Sequence, residues 1–320
     1  MSALRPAVRR AIVVALVLVV LAFFVYAVVD AWNATGGELP SIGRLVAAVL
    51  LWMVGLVCGG YAWATLLGGD HRLEHGAALI VAQLAKYVPG GVWQASGQVA
   101  LAKSAGVELK RAATAFTVLA VCQAVAGCAF VPVLAITWTS PPVWARVLLG
   151  VGALVSFALI DRRWMVWALQ RIPRTRDASD ALVPRQGAIV RAWLASIVTL
   201  GFATVSFLLL LGSYGPVHRP FFVISAYAAA WTIGFLVIPL PSGVGVREAV
   251  LVGLLHGMVP SSVIVATSVY QRLTTIAAEG LMALIVSHRI RPARLAAVRA
   301  QIDANAGAEA VPADEDPPES

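Results

Sequence analysis

The chain has 320 residues, of which 60% are hydrophobic and only 12% charged, and it carries a formal net charge of +8. Soluble domains carry about 25% charged residues, so this composition excludes an ordinary soluble enzyme and specifies an integral membrane protein. The positive balance does not imply nucleic acid as a partner, because the basic residues sit in short stretches beside apolar runs, where orientation in a bilayer places them.

In chain order, residues 1–10 hold Arg5, Arg9 and Arg10 and form a cytoplasmic N-terminus. The apolar run 11–29 that follows is too long for a secretory h-region and lacks a cleavage site, so it reads as a retained first span. Five more runs, 45–67, 112–136, 144–160, 192–212 and 262–287, are each near the ~20 residues a crossing helix needs. Within the first of these, Gly55 and Gly59 make a small-xxx-small face for close helix approach. Cys58, Cys122 and Cys128 lie inside apolar spans with no metal-ligand spacing and read as packing residues. His71-Arg72-Leu73-Glu74-His75 matches the H-x-x-E-H zinc pattern. It reads as a short polar loop with no third ligand downstream, so no metal is expected.

Two proline-glycine elbows interrupt the apolar sequence, Val88-Pro89-Gly90-Gly91-Val92 and Leu240-Pro241-Ser242-Gly243-Val244, set 152 positions apart. A broken helix inside a bilayer is costly, because its freed amides find no water. Two of them at matching points of a repeat mark a binding site at membrane depth. The elbow regions, about 76–107 and 220–259, either cross as kinked helices or dip in and return. Charge separates the two forms. The stretch from Asp161 to Arg191 carries seven arginines, and re-entrant hairpins place 19 of the 24 Lys and Arg in the cytoplasm or the first hairpin. Crossing elbows would put that stretch outside, against the positive-inside bias. Residues 220–238 are long enough to cross alone, which leaves the second hairpin open between the two forms.

The fold class expected is an all-α polytopic membrane protein, with about six transmembrane helices plus two re-entrant helical hairpins in inverted repeats. The membrane domain is 11–290, with repeats about 45–136 and 192–287. Residues 291–320 form a cytoplasmic basic segment and an acidic disordered tail.

Elbows that reverse within the membrane point helix N-termini at its centre, where free amides and the helix dipole favour an anion such as phosphate. Val92 to Gln94 and Val244 to Val246 supply those amides. The candidate substrate-binding residues around them are Pro89, Gly90, Gly91, Trp93, Pro241, Gly243 and Gly245. Ionisable side chains inside a membrane are functional candidates by default. Lys86, Arg247 and Arg272 are assigned to hold a phosphate, and Glu248 and Glu279 to balance charge or carry a proton. A structural Glu248–Arg272 pair locking hairpin to span is the competing assignment. Gln83, Gln94, Gln98 and Gln123 add polar lining or bridge helices. No P-loop or dinucleotide signature is present, so no nucleotide cofactor is expected.

The elbow motifs also carry a resemblance. Lys86-Tyr87-Val88-Pro89-Gly90-Gly91-Val92-Trp93, with Ile238-Pro239-Leu240-Pro241-Ser242-Gly243-Val244-Gly245-Val246-Arg247-Glu248, resembles the lysylphosphatidylglycerol synthase transmembrane (flippase-like) family over roughly residues 10–290. That family is similar to the membrane part of archaeal dolichol-phosphate glycosyltransferases. The resemblance implies a bacterial cytoplasmic (inner) membrane protein that handles a membrane lipid or a polyprenyl-phosphate-linked glycolipid. This sequence has neither the soluble aminoacyl-transferring domain of the full synthases nor a glycosyltransferase domain. The implied role is therefore lipid transport without enzymatic activity. The alternative is a non-catalytic membrane subunit of a lipid-modifying synthase or glycosyltransferase, with a separate transferase as partner.

Overall fold

The computed structural model describes residues 35–69, 71–87, 93–139, 141–171, 182–236 and 245–288, together with Val25, Val29, Trp32, Asn33 and Ile290. The first span, the centres of both elbows and the tail from 291 lie outside the described residues. What is described is helical, with no strand among the described residues. Four helical segments are long and apolar enough to cross a membrane: Ile42–Leu67, Leu109–Thr137, Val143–Ile160 and Gln186–Tyr214. They coincide with the expected spans 45–67, 112–136, 144–160 and 192–212.

Helix α1 (Ile42–Leu67) begins where Ser41 Oγ accepts from the Arg44 amide, and runs 26 residues, about 39 Å. Its exposed stripe is apolar: Val46, Leu50, Val54, Val57 and Tyr61 recur every three or four residues. That stripe belongs against acyl chains. Gly68 and Gly69, at φ of +67° and +80°, turn the chain so sharply that α2 (Arg72–Gln83) starts at once. The H-x-x-E-H sequence was expected as a loop, and residues 72–75 instead form the first turn of α2, with His75 buried. A single 3₁₀ turn, Leu84–Tyr87, carries α2 up to the first elbow.

Past that elbow come α3 (Trp93–Ser104) and α4 (Leu109–Ala126). The span expected over 112–136 is not one unbroken helix. It tightens into a 3₁₀ turn at Gly127–Phe130 and resumes as α5 (Val131–Thr137). Two features coincide here: Pro132 has no amide to donate, and Gly127 packs so close to Ala228 and Thr232 of the second half that a Cβ would not fit. Next come α6 (Val143–Ile160) and α7 (Arg162–Leu169), the latter lying in the arginine-rich stretch from Asp161 to Arg191. Helix α8 (Gln186–Leu211) starts six residues before the expected span. Then follow α9 (Pro220–Leu236), α10 (Val246–Leu255) and α11 (Ser261–Ser287).

Helices α1 and α8 form the centre of the molecule and share its most extensive helix–helix contact. Three neighbours give their direction. Gly212 lies against Arg44, Ser206 Oγ donates to the Ala48 carbonyl at 3.3 Å, and Thr199 Oγ1 donates to the Gly55 carbonyl at 3.0 Å. As one number falls the other rises, so the two helices are antiparallel. Around them the packing has matching partners. Helix α1 packs on α2, α4 and α11, while α8 packs on α9, α11 and α4.

The helices that flank the elbows are short. Helices α2 and α3 are each about 18 Å long and α10 about 15 Å, short of a ~30 Å hydrocarbon core. The 17 residues of α9 reach about 25 Å. Helix α11 has length to spare at 27 residues. It falls outside the apolar set because it carries Gln271, Arg272, Thr274, Thr275 and Glu279.

Candidate binding site

The segments beside both elbows hand their charged residues to α11. Arg272 and Glu279 are seven apart, two turns along one helix. At the Glu279 end, the carboxylate accepts from Lys86 Nζ through Oε1 and from the Tyr87 hydroxyl, at 2.8 Å, through Oε2. Lys86 and Tyr87 stand on the 3₁₀ turn that leads into the first elbow. Glu279 is only 1% exposed, and a carboxylate in that position needs the partners it has.

At the Arg272 end, Nη2 and Nε donate to Glu248 Oε1 at 2.8 and 3.3 Å. Glu248 lies in the first turn of α10, just past the second elbow. Its other oxygen accepts from the Gly245 amide at 2.8 Å. Gly245 stands at φ +84°, which a residue with a Cβ adopts at a cost, and it is the N-cap of α10. The amide assigned by sequence to an anion is thus already taken by the helix's own carboxylate.

Arg247 differs from the other two cations. Its half-buried side chain meets no carboxylate among the described residues, and its Nε is buried without a hydrogen-bond partner there. The guanidinium lies 5.5 Å from the centre of the Trp231 ring, which stacks in turn on Phe235 at 5.1 Å. Gly234 leaves room for this: a Cβ there would sit 2.6 Å from Arg247 Cγ.

The structure therefore joins Lys86 with Glu279 and Arg272 with Glu248, and holds Arg247 apart over an aromatic shelf. Pro89, Gly90, Gly91, Pro241 and Gly243 lie outside the described residues. Trp93 opens α3, and its side chain also lies outside them. Of the glutamines, Gln98 is buried with Nε2 unpartnered. Gln123 lines a small cavity with Trp52, Ser196, Thr199, Leu200, Ala203 and Trp231. That cavity sits halfway along α1 and α8. Sequence reasoning missed Tyr87, Trp231 and Gly234. Tyr87 adjoins a charge and an elbow, which was a usable signal. Trp231 and Gly234 become visible only once α9 and α10 are packed together. No group of three His, Cys, Asp or Glu suited to a metal occurs among the described residues.

The model of the lysylphosphatidylglycerol synthase TM region matches residues 10–283. The chain belongs to that family. It is an integral, multi-pass membrane protein, as the family and the four long apolar helices both require. Among curated proteins, none matches the chain.

Proposed function

We propose that this membrane domain moves a lipid or lipid-linked glycan between leaflets, as a flippase does, and binds the headgroup phosphate where the two hairpins meet α11. The observation that carries this reading is the charge count at that place. Three cations, Lys86, Arg247 and Arg272, face two carboxylates, Glu248 and Glu279, leaving 3 − 2 = +1. A phosphate there neutralises the excess. It can take two parallel hydrogen bonds from a guanidinium, a geometry that arginine offers and lysine does not.

The antiparallel α1 and α8, with their matched neighbours, support reading residues about 45–136 and 192–287 as inverted repeats. In that arrangement each hairpin dips from one face and returns to it, and its elbow carries substrate contacts at mid-depth. A headgroup phosphate that engages Arg272 competes with Glu248, and so loosens α10 from α11. The cost of leaving Glu248 unpaired makes the release reversible when the phosphate leaves. The arginine-rich connector, by the positive-inside bias, supports reading both termini as cytoplasmic, in a bacterial inner membrane.

The test is movement of fluorescent lipids by the purified full-length chain in vesicles, across a panel of headgroups. The expected result is protein-dependent movement of phosphate-bearing lipids. Arg247→Gln and Arg272→Gln are each expected to slow it about tenfold or more, in keeping with the ~1.5–3 kcal/mol of a charged hydrogen bond. No movement by the pure protein, or an unchanged rate in correctly folded Arg247→Gln, rejects the proposal.

A further inference from the structure

Helix α7 presents a surface that the transport reading does not use. It starts where α6 ends, with only Asp161 between them. Helix α6 is apolar along its outer face, with Val143, Trp144, Val147, Val151, Leu154 and Val155 exposed. Its 18 residues measure about 27 Å, one hydrocarbon thickness. Its end at Ile160 therefore falls at the membrane surface, and α7 with it.

The faces of α7 are sharply divided. Met165 and Leu169, one turn apart, are buried at 1% and 2% and pack into the core with Ile160, Val183 and Ile189. On the opposite side Trp164 and Trp167 are about half exposed and meet edge to face at 5.7 Å. The Arg171 guanidinium lies over the Trp167 ring at 3.8 Å, and Arg163 is exposed beside it. Asp161, the one acid in residues 161–171, is occupied as the helix cap, accepting from the Arg163 amide at 2.8 Å. Arg162 turns away and donates to the Pro184 carbonyl.

Indole rings favour the interfacial layer of a bilayer. Short helices with an aromatic face and flanking arginines lie in that plane and bind more tightly where the lipids are anionic. We infer that α7 is an interfacial docking element for anionic phospholipid headgroups, with Trp164 and Trp167 seated among them and Arg163 and Arg171 pairing with their phosphates.

The experiment titrates the detergent-solubilised full-length chain with short-chain phosphatidylglycerol, short-chain phosphatidylcholine or inorganic phosphate, and counts bound lipid by native mass spectrometry. Phosphatidylglycerol should bind in preference to phosphatidylcholine, and excess inorganic phosphate should fail to displace it. In Arg163→Gln/Arg171→Gln the affinity should fall about fivefold per arginine, as ~1 kcal/mol per surface cation implies. Arg163→Lys/Arg171→Lys, which keeps the charge, should recover most of the loss and shows that the helix still folds. Undiminished phosphatidylglycerol binding by the glutamine variant overturns the inference. So does equal displacement by free phosphate, which would make the site one for a soluble anion. Either failure leaves the lipid-movement assay on Arg247 and Arg272 untouched.

Discussion

Arg272 of α11 reaches Glu248 of α10 at 2.8 Å, and the same carboxylate holds the Gly245 amide with its second oxygen. One side chain thus both starts a helix and fastens it to its neighbour. These two tasks can be separated chemically. Glu248→Gln keeps a carbonyl oxygen for the cap and loses the charge, whereas Glu248→Ala loses both. The alanine variant should be less stable than the glutamine variant by about 1 kcal/mol, the usual worth of an N-cap. Thermal unfolding in detergent reads the difference, and equal melting temperatures would show that the cap contributes nothing.

The Lys86–Glu279 pair is the more deeply buried of the two. Removing one partner leaves an uncompensated charge, which costs about 3–5 kcal/mol in a protein interior. Lys86→Met should therefore destabilise strongly, with Tyr87 left as the only donor to Glu279 among the described residues. Lys86→Met/Glu279→Gln removes both charges and should melt well above the single variant. A double variant that melts below it would mean the pair is not the unit it looks to be.

Gly234→Ala tests the shelf on which Arg247 rests. The new Cβ would fall 2.6 Å from Arg247 Cγ and 3.1 Å from Nε. Because Cγ is close to the arginine backbone, the side chain must leave Trp231 rather than bend away. The expected outcome is a fold that survives, with movement of phosphate-bearing lipids reduced about as far as in Arg247→Gln. Wild-type movement in Gly234→Ala would detach Arg247's position from transport.

Two glycines on α1 should respond unequally to the same change. A Cβ at Gly60 would meet the Gly76 carbonyl oxygen at 3.1 Å and the Gly76 Cα at 3.3 Å, where the backbones of α1 and α2 abut. At Gly55 the nearest atom is the Thr199 carbonyl oxygen at 3.4 Å. Gly60→Ala should cost about 1–3 kcal/mol, as overpacking does, and Gly55→Ala clearly less. Chemical denaturation of the two variants compares them directly.

Orientation is open to labelling. Gln170 is exposed at the end of α7. In a background without Cys58, Cys122 and Cys128, Gln170→Cys should resist a membrane-impermeant thiol reagent in intact cells and react once they are opened. Labelling in intact cells would place the arginine-rich connector outside and turn the hairpins into ordinary crossings.

Most of the spans were legible, because twenty apolar residues in a row have few other uses. The Glu248–Arg272 pair was legible as one of two assignments, since charges this rare in apolar sequence must answer to one another. The break at Gly127 was harder to see. Its Pro132 was visible, but the close approach of Thr232 to Gly127 is a contact between residues 105 apart. The loop expected at residues 71–75 failed for a related reason. Two glycines can turn a chain in so few residues that the polar segment after them is already helix. The cation over Trp231 depends on how α9 and α10 pack, and no local pattern encodes that. The elbow centres lie outside the described residues.

Helices α1 and α8, side by side in opposite directions, look alike from either face of the bilayer, so this central pair gives the proposed transport no inherent direction. The ionisable residues do not share that evenness. Shifted by the 152 positions that separate the elbows, Lys86 falls on Ile238, Arg247 on Ala95, Glu248 on Ser96, Arg272 on Ala120 and Glu279 on Gly127. For the proposed lipid movement, a preference for inward or outward passage is then written in these five side chains, together with the break at Gly127–Phe130 that α11 does not share.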